Sequence, residues 1–137
     1  MDNLVKAGLL KTEPGDQDEF DGLVASGVRR LADARKADLS PESQFDLAYG
    51  AAHAFALAAM RWHGYRPNRR RFVVFQALPH TLGLSSELWR VLGKCHNARN
   101  LAEYEGSFAV DNQLLTDLLQ VARQLEQAVR ELGPVPT

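Results

Sequence analysis

The residues with the most chemistry to offer lie close together in Leu92–Gly106, LGKCHNARNLAEYEG. His96, Arg99, Asn100, Glu103 and Tyr104 fall within little more than two turns of a helix with about 3.6 residues per turn. His96, Arg99 and Glu103 share one side, and Asn100 and Tyr104 share the adjacent one. One outcome is a solvated helix face with an Arg99–Glu103 pair at i,i+4, worth about 0.2–0.5 kcal/mol. The other is a site for phosphate and nucleic acid. RNA cleavage without a metal needs a base for the 2′-hydroxyl, an acid for the leaving oxygen and a cation for the strained phosphate. Arg99 can supply the cation, and Asn100 can orient the phosphate. Tyr104, with an ordinary phenol pKa of about 10, donates a proton but is a poor base at neutral pH. His96, one turn before Arg99, is the nearest imidazole and the alternative acid or base.

A second basic cluster precedes it. Arg61, Arg66, Arg69, Arg70 and Arg71 surround the turn-forming residues Gly64, Pro67 and Asn68, with Tyr65 adding an aromatic face. Arginine suits bidentate phosphate contact and base stacking. The segment therefore reads either as a phosphate- or RNA-contacting loop, or as a solubilising loop or one that pairs with acidic groups. The candidate phosphate or RNA contacts are Arg61, Arg66, Arg69, Arg70, Arg71 and Glu103.

Other chemistries lack their residues. There is no glycine-rich phosphate loop, no GxSxG elbow and no HExxH. His53, His63, His80 and His96 are scattered with no i,i+4 pair, and Glu103 and Glu105 make no obvious acid/base pair, so no metal site and no cofactor are expected. His53 is expected as a hydrogen-bonded core or interface histidine, and His80 as structural or solvent-facing. Cys95, the single cysteine, rules out an intrachain disulfide and reads as a small buried apolar residue. With 137 residues and a net charge of −1, residues 1–137 are expected to form one domain. Balanced charge argues against a nucleic-acid coat and leaves room for a local basic patch. Neither a basic stretch followed by an apolar run at the start nor an apolar run of about 18 residues is present, so the expectation is no signal peptide, no membrane span and a cytoplasmic location.

The elements that must position these residues are helical. Residues 3–10 suggest a short amphipathic helix, broken at Thr12–Asp16 by Pro14 and Gly15. Residues 17–36 carry an apolar stripe from Phe20 to Ala32, with acidic residues at the start and Arg29, Arg30, Arg35 and Lys36 at the end, an order that suits the helix macrodipole. Ser40-Pro41 opens a helix over 41–63 that is apolar nearly all round, as for the central member of a bundle. Phe72–Leu78 has strand-like composition, but no partner strand is evident and a lone strand is unstable, so a short buried helix over 70–80 is expected. Ser85 or Ser86 caps the helix of 86–104 that carries the first cluster, and Asp111 caps a last helix over 112–132. The fold class expected is all-α, a single-domain up-and-down bundle of about five helices.

In this setting the run Arg99-Asn100-Leu101-Ala102-Glu103-Tyr104 resembles the signature helix of the HEPN superfamily, the higher eukaryote and prokaryote nucleotide-binding domains. That signature has an arginine, then a polar residue, then a histidine about five residues after the arginine. Arg99 and Asn100 take the first two places, and Tyr104 stands where the histidine belongs. The resemblance implies a helical bundle that forms a homodimer through the Arg99 helix, and RNA or a nucleotide as ligand. It further implies an antitoxin or a nucleotidyltransferase as a protein partner. Many members are metal-independent endoribonuclease toxins and others are non-catalytic. The tyrosine at 104 and the balanced charge favour a binding domain with weak or no catalysis, with the endoribonuclease as the alternative. A structural helical dimerisation module with no nucleic-acid role is the third option.

Overall fold

The computed structural model describes residues 2–68, 71–105 and 110–136, with 101–105 described as helical backbone. The chain is an all-α helical bundle. Its elements in order are α1 (Asp2–Lys6), β1 (Leu10–Thr12), α2 (Gln17–Ala34), α3 (Pro41–Trp62), β2 (Tyr65–Pro67), α4 (Val73–Gln76), α5 (Leu78–Thr81), α6 (Ser86–Glu105) and α7 (Asn112–Arg130).

The long helices start where side-chain caps allow. Asp16 accepts a hydrogen bond from the backbone N–H of Asp18, Ser40 from Ser43 and Asp111 from Gln113, each satisfying a donor with no partner inside its helix. Pro41 follows Ser40 at no cost, because the first-turn N–H it lacks would be unpaired anyway. Gly64, at φ +86°, then turns the chain out of α3.

α3 is the centre of the molecule. Phe45, Ala48, Ala51, Ala52, Phe55, Ala56, Ala58, Ala59 and Met60 are buried on several of its sides, and α2 and α7 pack against it. Close packing of α2 depends on Gly27, where a Cβ would fall 2.5 Å from the Phe55 ring. α7 closes the core with Leu118, Val121, Ala122, Leu125 and Val129 at helical spacing. Cys95 is fully buried in this core, and burial, with the nearby Asp117 charge, pushes its thiol up to about 12.

The strand-like run after residue 71 is helical, in two pieces. Pro79 has no N–H to offer the Phe75 carbonyl, so the chain restarts as α5. The strands lie elsewhere. β1 and β2 pair antiparallel, Leu10 opposite Pro67 and Thr12 opposite Tyr65, where sequence reading expected a helix end and a loop. So short a ribbon needs outside support.

That support is an ionic clasp. Arg61 is only 2% exposed. Its Nε donates to Glu19 at 2.6 Å, Nη1 to the carbonyls of Glu13 and Tyr65 at 2.9 and 3.2 Å, and Nη2 to the Pro14 carbonyl at 2.8 Å. Arg66, on β2, donates to Glu13 at 2.6 Å and to Glu19 at 2.7 Å. Burial pushes the Glu19 carboxyl up, but its bonds to Arg66 and Arg61 and their charges outweigh that and hold it below its ordinary value. Arg61 and Arg66 were both candidate phosphate contacts from sequence. In the structure Arg61 is buried with its donors bonded inside this clasp, and Arg66, partly exposed, gives its Nε and Nη2 to it.

Candidate functional site: an arginine-lined recess

The polar residues of α3 fall on one stripe. Asp46, Tyr49, Gly50 and His53, at steps of three and four, interrupt its apolar surface and line a recess of about 350 Å³. α6 supplies His96, Arg99 and Asn100 at the same spacing, α2 supplies Arg30, and Arg71 and Phe72 come from the approach to α4. α4 packs against both α3 and α6 and so sets the two polar stripes beside each other.

The stripes are joined by side chains. The Arg99 guanidinium carbon lies 4.7 Å from the centre of the Tyr49 ring, a cation–π contact. Its Nε is 3.6 Å from Asp46, an ion pair too long for a good hydrogen bond, with Asp46 largely exposed. Among the described residues, Arg99 is thus held by an aromatic ring and by this one long ion pair. Arg30 reaches the recess over Gly50: a Cβ there would meet its Nη1 at 2.7 Å.

His96 is fixed from both ends. Tyr49 Oη lies 3.1 Å from Nδ1, and the Asn100 amide nitrogen lies 3.2 Å from Nε2. An amide NH₂ only donates, so Nε2 accepts and Nδ1 carries the proton that it donates to Tyr49. The Tyr49 hydroxyl then keeps its own proton to donate. With the Asn100 amide turned over, the roles reverse and both ring nitrogens remain bonded. Burial raises the Tyr49 phenol to about 12, against the pull of Arg99, so it stays neutral across the physiological range.

His53 differs. Its ring bonds to the backbone of Arg71, as expected of a hydrogen-bonded histidine, while its buried Nε2 has no hydrogen-bond partner among the described residues. Burial first, then the Arg71 charge, push its imidazole down to about 4, so it is neutral at pH 7. The ring donates its one N–H to the Arg71 backbone, so the buried nitrogen of the neutral imidazole is left as an acceptor.

Of the candidates named from sequence, the recess brings together His96, Arg99, Asn100 and Arg71. Arg69 and Arg70, and the side chains of Glu103 and Tyr104, lie outside the described residues. Sequence reasoning missed Arg30, His53, Tyr49 and Asp46. It had assigned Arg30 to the basic end of its helix, yet α2 has no basic residue in its last turn. The available signal was the polar stripe Asp46–Tyr49–Gly50–His53 crossing an otherwise apolar helix. Among the described residues, no three His, Cys, Asp or Glu side chains converge as metal ligands do, and no helix is long and apolar enough to cross a membrane.

No family model matches this chain, and no curated protein or solved structure matches it.

Proposed function

We propose that this chain is a HEPN-like domain that binds the phosphate of a nucleotide or of RNA in the arginine-lined recess, with little or no cleavage. The observation that carries this is the convergence of Arg30, Arg71 and Arg99 from three separate segments on one small recess, with Asp46 the only carboxylate lining it among the described residues. Cations brought together with few acidic partners among the described residues suit an anion. With the proton of His96 on Nδ1, the Tyr49 hydroxyl adds an uncharged donor, which a phosphate can accept from.

A metal-independent endoribonuclease is the second reading, favoured by one observation: His96 sits beside Arg99 and Asn100 in the same chain. Binding ranks ahead of it because both nitrogens of His96 are already bonded and Tyr104 takes the place of the signature histidine. Homodimerisation through α6 and an antitoxin or nucleotidyltransferase partner belong to the same proposal.

Calorimetric titration with nucleoside monophosphates and a short RNA tests it. Binding should weaken with salt, as counterion release requires, and should fall about 10–100-fold in Arg99→Ala, the worth of charge-assisted hydrogen bonds. Absence of binding by the wild type would overturn the proposal. Cleavage of the RNA in the presence of EDTA, lost in Arg99→Ala and His96→Ala, would establish the second reading instead.

A further inference from the structure

A second recess, of about 420 Å³, adjoins the first and shares Arg71, Phe72 and His96 with it. Its remaining lining is Val73 and Gln76. The shared wall is aromatic: the Phe72 and His96 rings lie 4.8 Å apart, tilted by only 33°. Arg71 is the one cation lining this second recess among the described residues, and it is already counted in the first.

Resting on the phosphate reading above, we infer that the second recess is a nucleobase subsite, so that the ligand is a nucleotide unit bound by phosphate and base together. Among the described residues its lining is two apolar or aromatic side chains, an imidazole, an amide and a single shared cation, a poor set for a second anion. They do suit a flat, weakly polar ring, since every base has a π-face and stacking on aromatic or guanidinium planes is tolerant of sequence. Gln76 is exposed on α4, and its side-chain amide offers one donor and one acceptor edge, the pairing that base edges present. A nucleotide places its base and its phosphate on the same sugar, and the two recesses stand on either side of one shared wall.

The test is calorimetric titration of the full chain with ribose 5-phosphate, the four nucleoside monophosphates and a short RNA bearing a 5′-phosphate, using wild type, Gln76→Ala and Arg99→Ala. Gln76 lines the second recess and not the first. The expected result is that at least one monophosphate binds about tenfold or more tightly than ribose 5-phosphate. Gln76→Ala should reduce that gain and leave ribose 5-phosphate affinity unchanged, and Arg99→Ala should weaken both. The Gln76 side-chain amide resonances should shift with a monophosphate and not with ribose 5-phosphate. Preference for free monophosphate or for the RNA end identifies the source of the nucleotide, and either supports the inference. Equal affinity for ribose 5-phosphate and every monophosphate overturns the base subsite and leaves the phosphate reading standing. If no phosphate binds, or if binding is indifferent to Arg99→Ala, both fall.

Discussion

Two arginine clusters in this chain use the same side chain and end in opposite states. Around Arg61 and Arg66, Glu13 and Glu19 and three backbone carbonyls take up the guanidinium donors, and Arg61 is sealed from water. Around Arg30, Arg71 and Arg99, the recess is lined among the described residues by one carboxylate, Asp46, and Arg99 approaches it no closer than 3.6 Å. The first cluster satisfies itself and ties the β1–β2 ribbon and the start of α2 to the end of α3. The second leaves positive charge short of acidic partners. Acidic residues within reach, not the density of arginine, separate a structural cluster from a binding one.

The comparison breaks most visibly at Arg61. Arg61→Ala leaves Glu13 and Glu19 to Arg66 alone, strips the Glu13, Pro14 and Tyr65 carbonyls of their donor and opens a buried space, and should cost about 2–5 kcal/mol of stability. Urea unfolding followed by circular dichroism measures this. Below the transition, affinity for a nucleoside monophosphate should stay within a factor of about two. A stable Arg61→Ala protein that binds poorly would reverse the assignment of the two clusters.

The next effect is one of pH and belongs to the recess. His53 titrates at about 4 in the folded chain and near 6.5 when unfolded, so the unfolded chain binds the extra proton between these values. Stability from this residue is complete above about pH 6.5 and is lost as pH falls toward 4, by at most about 1.4 kcal/mol per pH unit. Glu19, held low by the clasp, loses its contribution in the more acidic range below its ordinary value. Wild type and His53→Gln should therefore diverge between pH 6.5 and 4 in thermal unfolding. Parallel curves across that window would show that His53 is not held neutral by its surroundings.

Arg99→Ala should do the converse of Arg61→Ala. Arg99 is 39% exposed and its ion pair with Asp46 is long, so stability should change by under about 1 kcal/mol. Phosphate affinity should fall by about 1.5–3 kcal/mol. A large loss of stability would place Arg99 with the structural cluster.

Much of this was legible in the chain. Ser40-Pro41 and Asp111 mark helix starts because capping is a local property, and the spacing of Phe20 to Leu31 and of Leu115 to Val129 shows which faces turn inward, although Ala32, read into the same stripe, is exposed. The long-range pairings were not. Nothing local in Glu13 or Glu19 says that they meet Arg61 and Arg66, far along the chain, and the β1–β2 ribbon depends on that meeting. The same limit hid Arg30. Its place in the recess depends on α2 crossing α3 at Gly27 and Gly50, where the absence of side chains is meaningful only once the helices are side by side.

Gly50 gives the finest test of the contrast. In a helix, alanine is favoured over glycine by about 0.8–1.0 kcal/mol. At position 50 the new Cβ would stand 2.7 Å from Arg30 Nη1, the far end of a flexible side chain that can move aside. Gly50→Ala should therefore leave the fold as stable as before or raise it by under about 1 kcal/mol, while displacing one of the three cations that line the recess. Phosphate affinity should drop several-fold, less than in Arg99→Ala, and Arg30→Ala should bring little further loss in the Gly50→Ala background. A double-mutant cycle reads this directly. If the two losses simply add, the glycine does not seat Arg30, and the recess holds its anion with Arg71 and Arg99 alone.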